Sequence, residues 1–374
     1  MTAQGFAAPS PDAPTRGKPR ILIIKPSSLG DVVHGLPVLA ALRAAHPRAH
    51  VAWLVGKAFA PLLENHPLLD EIVIFDRKRL GRLWIHPGAM ADLLRLVSRL
   101  RRARFDIVVD LQGLVRSAFF AWACGAPQRI GFTAARELAW LFYTRRVACP
   151  AEIEHAVERN LHLARALGWP AVSPRFPLAI TEAERRAAQR SLADAGVGAP
   201  YVAVLPGARW PSKRWPPRRF AELMDRIQSS GGPTCVLLGA PDERPLVAEI
   251  VAACRTPPAN LVGRTTLREL AAVLEGAQRV ISQDSGPMHL AAALGRPLVA
   301  LFGPTNPRRT GPYSASAQTV THAVPCAPCY RRRCPLRHHD CLEKLAVQQV
   351  IDAMDGPGAG ATMTGMGAAG FEPA

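Results

Sequence analysis

Short apolar runs and amphipathic stretches alternate along this chain, and the alternation occurs twice. Ile21–Ile24 is an apolar run that ends in a polar turn, the pattern of a strand buried on both faces. Asp31–Ala45 follows with Val32, Leu36, Leu39 and Leu42 at helical spacing. Strands are expected again at Val51–Val55, Ile72–Phe75 and Ile107–Asp110, with an amphipathic helix at Gly88–Arg102 and a helical stretch at Ala151–Leu167. The second series has strands at Tyr201–Leu205, Cys235–Leu238, Arg279–Ser282 and Leu298–Phe302. Its helices are expected at Pro217–Ser230, Glu243–Cys254 and Pro287–Leu294. Such alternation predicts parallel sheets covered by helices, that is, an α/β chain of two Rossmann-like domains facing each other across a cleft. The expected boundaries are a tail at 1–19, a first domain at 20–177, a second at 178–354, and a Gly- and Ala-rich tail at 355–374.

At 374 residues the chain exceeds what one core usually organises, and its 48% hydrophobic content can fill two. The 46 Lys and Arg against 29 Asp and Glu leave a net charge of +17, which suits nucleic acid, an anionic membrane surface or a phosphorylated substrate. Residues 1–19 contain no apolar signal segment, and no apolar run reaches the roughly 18 residues of a membrane span. The expectation is a cytoplasmic protein.

Ligands of such sheets lie at the carboxyl ends of the strands, so the strand-to-helix loops carry the chemistry. The first loop, Lys25-Pro-Ser27-Ser28-Leu-Gly30-Asp31, puts a carboxylate at a helix start. Asp31 reads either as a helix N-cap or as a base that takes a proton from an attacking hydroxyl; Gly30 allows close approach of the backbone. The second loop, Pro206 to Pro216, sets Arg209, Lys213 and Arg214 beside a helix N-terminus, an arrangement suited to a diphosphate or equally to a solvated basic loop. The third, Ser282-Gln283-Asp284-Ser285-Gly286-Pro287-Met288-His289, offers N–H groups and a hydroxyl to phosphate; His289 alone reads more simply as a core histidine. The fourth is Gly303-Pro304-Thr305. No P-loop pattern is present, which disfavours a nucleoside triphosphatase. Gly365-Met-Gly367-Ala-Ala-Gly370 matches a dinucleotide fingerprint formally, but it has no strand before it and no room for a helix after it.

In this order the loops resemble those of glycosyltransferase family nine, the lipopolysaccharide heptosyltransferases. The resemblance runs from about Ile21 to Met354 and rests on residues 25–31, 206–208, 213–216, 283–289 and 302–305. It implies a GT-B fold and an inverting transferase that uses no metal and no cofactor. The implied reaction moves heptose from ADP-heptose to the Kdo or inner-core region of lipid A. It further implies that Asp31 is the catalytic base, that Lys213 contacts phosphate, and that Glu243 contacts ribose. Asp284, Ser285, Gly286 and His289 match the donor turn, and Arg209 and Thr305 join the donor side. Ser27, Ser28, Gly30, Gln112 and Arg116 fall on the acceptor side. The segments Asp110–Ser117, 142–145 and 155–159 resemble the branch that adds the first heptose. Cys326-Ala-Pro-Cys329 through Cys334 to Cys341 resembles other branches, so the acceptor stays open.

Cys326, Cys329, Cys334 and Cys341 could hold a structural zinc ion, with reduced thiols the preferred reading because the spacing is not a regular pair of CxxC motifs. Residues 77–104 carry nine basic groups, with Trp84 among them and Asp92 the one acid. They read as a solvated face or as a surface for the anionic inner face of the membrane. Nucleic acid is not expected, since aromatic residues for stacking are only 6%. Two further readings are carried: another nucleotide-sugar enzyme of this fold, and a non-catalytic basic protein that binds membrane or nucleic acid.

Overall fold

The computed structural model describes residues 18–80, 87–170 and 174–356. Arg82, Trp84, the 365–370 glycine pattern and most of both expected tails lie outside the described residues. At the second tail, Asp355 instead closes the helix Val347–Asp355. The chain divides into two compact units. One runs to Glu182 and takes in Arg308–Thr310; the other holds Ala183–Pro307 and the chain from Gly311.

The strands of the first unit are β1 (Arg20–Ile24), β2 (His50–Gly56), β3 (Glu71–Phe75), β4 (Ile107–Asp110), β5 (Gln128–Phe132) and β6 (Arg145–Val147). They form one sheet in the order β3-β2-β1-β4-β5-β6, every neighbouring pair parallel. The second unit has β7 (Tyr201–Leu205), β8 (Thr234–Leu237), β9 (Ala259–Asn260), β10 (Arg279–Gln283), β11 (Leu298–Phe302) and β12 (Ala317–Thr321). Its order, β12-β11-β10-β7-β8-β9, is again all parallel. Read from the first strand of each unit, both sheets have the doubly wound order 3-2-1-4-5-6.

The central strands are apolar without alternation because helices cover both faces. Ile21, Leu22, Ile23 and Ile24 are fully buried, as are Ala203 and Val204. Each fully buried Ile, Leu or Val side chain contributes about 1.5–3 kcal/mol. Around them, Leu54, Val108 and Phe120 pack in the first unit, and Trp215, Phe220 and Leu301 in the second.

The order fixes where each unit can bind. The chain leaves β1 toward β2 and leaves β4 toward β5, on opposite sides, so a crevice opens between the ends of β1 and β4. In the second unit the equivalent crevice lies between the ends of β7 and β10. The helix Leu29–Ala45 begins directly beyond β1 and is braced by Asn160, whose Nδ2 donates to the His34 carbonyl at 3.0 Å. The helix expected over Ala151–Leu167 is shorter, Ala156–Ala166. His155 starts it late as the N-cap, its Nδ1 accepting from the Val157 N–H at 3.2 Å.

Candidate functional site

In the first unit, Lys25 follows β1 and is buried to 6% exposure. Its Nζ donates to the Leu111 carbonyl beyond β4 at 2.7 Å and stands 3.3 Å from Asp31 Oδ1. One cation thus bridges the two strand ends that define the crevice. Asp31 is not the N-cap. Ser28 is, and Asp31 is the third residue of the helix, where its Oδ2 accepts from Ser28 N (2.8 Å) and Ser28 Oγ (3.0 Å). Burial pushes the Asp31 carboxyl up, but the adjacent Lys25 ammonium and the two Ser28 donors outweigh it and hold it below the usual carboxylate range. The carboxylate is therefore ionised at neutral pH. With 38% of its side chain still exposed, it can accept a proton from an incoming group. Ser28 is exposed, Ser27 half-buried, and Gly30 buried in the first helical turn.

Across the crevice, Asp110 ends β4 fully buried. Its Oδ1 accepts from the N–H groups of Gln112 (2.8 Å) and Gly113 (3.2 Å), and its Oδ2 from the hydroxyls of Ser117 and Tyr143, each at 2.7 Å. Burial raises the Asp110 carboxyl against these four donors. The bonds pin a turn that needs Gly113 at φ +65, where a side chain would be strained. The turn presents Gln112, whose Oε1 is buried with no partner among the described residues. Arg116 stands exposed on the helix Val115–Ala123 that begins just after it.

In the second unit, the loop after β7 meets the turn after β10. Lys213 Nζ lies 2.5 Å from Asp284 Oδ2, which also accepts from Thr305 Oγ1 at 2.5 Å. Lys213 also lies over the Trp210 ring, 4.8 Å from its centroid. Ser285 is the N-cap of the helix Gly286–Ala293, and its Oγ is 3.4 Å from Ser282 Oγ. His289 is buried on that helix. The helix Pro217–Ser229 starts beyond the Lys213 loop, so two helix N-termini open beside the crevice. Arg209 is exposed, whereas Arg214 turns inward and donates to the Ala208 carbonyl at 2.9 Å, shaping the loop.

Glu243 completes this face. Its carboxylate accepts from Ala240 N at 2.9 Å and occupies space left by Gly207 and Gly239; a Cβ at either glycine would overlap it. Burial, joined by the charge of Asp242, raises its carboxyl, with the Ala240 N–H and Arg214 offsetting part of the rise. The structure therefore brings Lys213, Asp284, Thr305 and Ser285 to one crevice, with Glu243 behind the Pro206–Gly207 turn. It brings Asp31 to the Gln112 turn in the other unit. Sequence reasoning gave no role to Lys25, Asp110, Tyr143 or Gln283. The signal for Lys25, Asp110 and Gln283 was a polar residue at or just beyond the end of a buried strand; Tyr143 carried none.

The four clustered cysteines are free thiols lining, with His338 and His339, a cavity of about 20 Å³. Burial and the three neighbouring sulfurs push Cys341 up to about 11. Among the described residues, no group of three or more His, Cys, Asp or Glu is placed to hold a metal ion. The backbone of this segment braces the Lys213 loop instead. Ser212 N and Oγ donate to the carbonyls of Arg332 (3.3 Å) and Arg331 (2.6 Å), and the His339 ring bonds the Ser212 carbonyl at 2.6 Å.

The basic stretch is partly self-neutralised. Arg79 and Arg95 both pair with Asp92, and Arg99 pairs with Glu71 at 2.7 Å. On the helix Pro87–Arg102, Met90 and Leu94 are 47% and 61% exposed, one helical turn apart. Among the described residues no helix is long and apolar enough to cross a membrane.

Residues 93–339 match glycosyltransferase family 9 (heptosyltransferase). The chain is 36% identical over 320 residues to lipopolysaccharide heptosyltransferase 1 of Pseudomonas aeruginosa, covering 84% of this chain and 87% of that protein. Among solved structures, a family 9 glycosyl transferase from Veillonella parvula superposes with a TM-score of 0.80 at 28% identity, covering 90% of this chain and 96% of the other. The E. coli heptosyltransferase WaaC with ADP superposes with a TM-score of 0.69 at 29% identity, covering 89% and 99%.

Proposed function

This chain belongs to glycosyltransferase family 9, the heptosyltransferases, and from that membership we propose that it transfers heptose from ADP-heptose to the Kdo or inner-core region of lipid A in lipopolysaccharide synthesis. The observation that carries the reading is the distribution of charge between two identically wound sheets of a GT-B chain. A half-exposed, ionised carboxylate stands at the crevice of the first, and a cation with helix N-termini stands at the crevice of the second.

Inverting transfer needs those two groups and no protein nucleophile. Asp31 takes the proton of the acceptor hydroxyl as its oxygen bonds to the anomeric carbon. The bond from that carbon to the diphosphate oxygen breaks on the opposite face, and its electron pair leaves with ADP. Lys213 and the N–H groups opening the helices Pro217–Ser229 and Gly286–Ala293 meet the charge that develops there. No step is routed through a metal. Asp284, itself held by the Thr305 hydroxyl, holds the lysine until the diphosphate shares it, Glu243 faces the ribose, and Ser285 and His289 line the donor turn. Arg209 is an outer contact on the same side. Gln112, with its buried oxygen unpaired among the described residues, and Arg116, Ser27, Ser28 and Gly30 serve the acceptor.

The protein works at the cytoplasmic face of the membrane, held peripherally. Exposed Met90 and Leu94 flanked by arginines fit an interfacial helix face. The donor half of the proposal is tested by thermal shift with ADP-heptose, ADP, and UDP- and GDP-sugars. Stabilisation by the adenine nucleotides alone supports it, and equal response to all three bases overturns the donor assignment.

A further inference from the structure

We propose that Gln283 is the residue that positions Lys213 for the diphosphate; this rests on the reading of Lys213 given above. Gln283 is the last residue of β10 and is fully buried. With its amide oriented so that each atom faces a complementary partner, Nε2 donates to the Lys213 carbonyl at 2.7 Å and Oε1 accepts from the Trp215 N–H at 2.5 Å. The next residue, Asp284, holds the other end of the same lysine at Nζ. Two consecutive residues at one strand end therefore grip the main chain and the ammonium of Lys213.

The grip is anchored on both sides. Gln283 pairs in register with Leu301 of β11, and Asp284 N donates to the Leu301 carbonyl at 3.2 Å. Trp215 is buried, with its Nε1 donating to the Leu345 carbonyl at 3.0 Å and its ring edge-on to Phe220. The segment from Lys213 to Trp215 thus has its far end fixed in the core, and one amide ties its main chain on both sides of Arg214 to the sheet. The preceding residue, Ser212, is tied to the Arg331 and Arg332 carbonyls and the His339 ring, and Lys213 N donates to the Trp210 carbonyl at 3.0 Å, so Gln283 supplies the link from Lys213 itself to the sheet. A side chain that can donate and accept at once is needed here, because Lys213 offers a carbonyl and Trp215 an N–H. An apolar residue of the same length would leave both buried and unpaired. A displacement of the lysine by about 1 Å is enough to cost on the order of a hundredfold in rate.

The test is a double-mutant cycle on the full-length protein. Gln283→Met, Lys213→Ala and the double variant are compared for ADP affinity by calorimetry and for KM and kcat with each substrate. Gln283→Asn, which keeps the amide but shortens its reach, is the second variant should Gln283→Met fail to fold. The expected result is an ADP affinity and a kcat reduced by about tenfold or more in Gln283→Met, with acceptor KM unchanged. The double variant should be no worse than Lys213→Ala alone, since a positioning effect vanishes when its object is gone. Additive losses, or acceptor and donor KM rising together, would show a general structural role and overturn the proposal. Undiminished ADP affinity in Lys213→Ala would remove the phosphate reading itself, and a loss in Gln283→Met alongside it would show that Gln283 acts by another route.

Discussion

The Lys25 ammonium stands 3.3 Å from Asp31 Oδ1 while donating to the Leu111 carbonyl at 2.7 Å, so the cation that keeps Asp31 ionised also ties it to the opposite strand end. The arrangement makes Asp31 a carboxylate at neutral pH and limits how strong a base it can be. A base of this kind works by position more than by proton affinity.

Asp31→Asn should reduce transfer by about 10²–10⁴-fold while leaving calorimetric ADP affinity within about threefold of the parent. Asparagine keeps the size of the side chain and can still accept from Ser28. A variant with near-parental turnover would remove Asp31 from the reaction.

Lys25→Met should move the acid limb of the kcat/KM profile to higher pH. Burial raises the Asp31 pKa while Lys25 and the two Ser28 donors lower it, so removing the cation leaves only the Ser28 donors to oppose burial and the pKa rises. The same pair has a stability signature. A depressed folded-state pKa stabilises the chain above the unfolded-state value, and that contribution fades as pH falls through the folded-state value. The parent should therefore lose relative stability on acidification more steeply than Lys25→Met, as read by melting temperature against pH. A lower rate with an unmoved acid limb would mean that Lys25 does not act through Asp31.

Gly207→Ala should raise the donor KM by about an order of magnitude and leave the acceptor KM alone. The added methyl would overlap the Glu243 carboxylate, which must then leave its place between Gly207 and Gly239. Unchanged donor kinetics would show that the Glu243 position is not used.

Binding to anionic vesicles should fall steeply with salt, because screening acts over about 8 Å at physiological ionic strength. Changing Arg77, Lys78, Arg79 and Arg82 together to Gln should weaken binding, and Leu94→Ser should weaken it further without altering ADP affinity. Equal binding to neutral and anionic vesicles would mark the stretch as a solvated face.

Strands built on an apolar run were readable; β4, β7 and β11 begin and end where the sequence places them. The strands that went unread carried no such signal. β5 is Gln-Arg-Ile-Gly-Phe and β12 is Ala-Gln-Thr-Val-Thr, and neither has a continuous apolar run. The helix Val115–Ala123 is short, and its aromatic residues mask its period. At the site, the motif residues announced themselves by type and by loop position. Residues that act on a neighbour did not: Asp110 is defined by Tyr143, thirty-three residues away, and Gln283 by a main-chain carbonyl. Local sequence contains neither relationship. The pairing of Arg79 and Arg95 on Asp92 was equally invisible, because composition counts charges without showing which are already met.

The most direct measurement is incubation of the purified protein with ADP-heptose and Kdo-lipid A, with products identified by mass spectrometry. The account predicts a lipid product heavier by one heptose residue, equimolar release of ADP, and loss of both in Asp31→Asn. A parallel arm with acceptor already carrying the first heptose identifies the position at which the enzyme acts. Release of ADP with no heptosylated lipid from either acceptor, or no reaction at all, would contradict it.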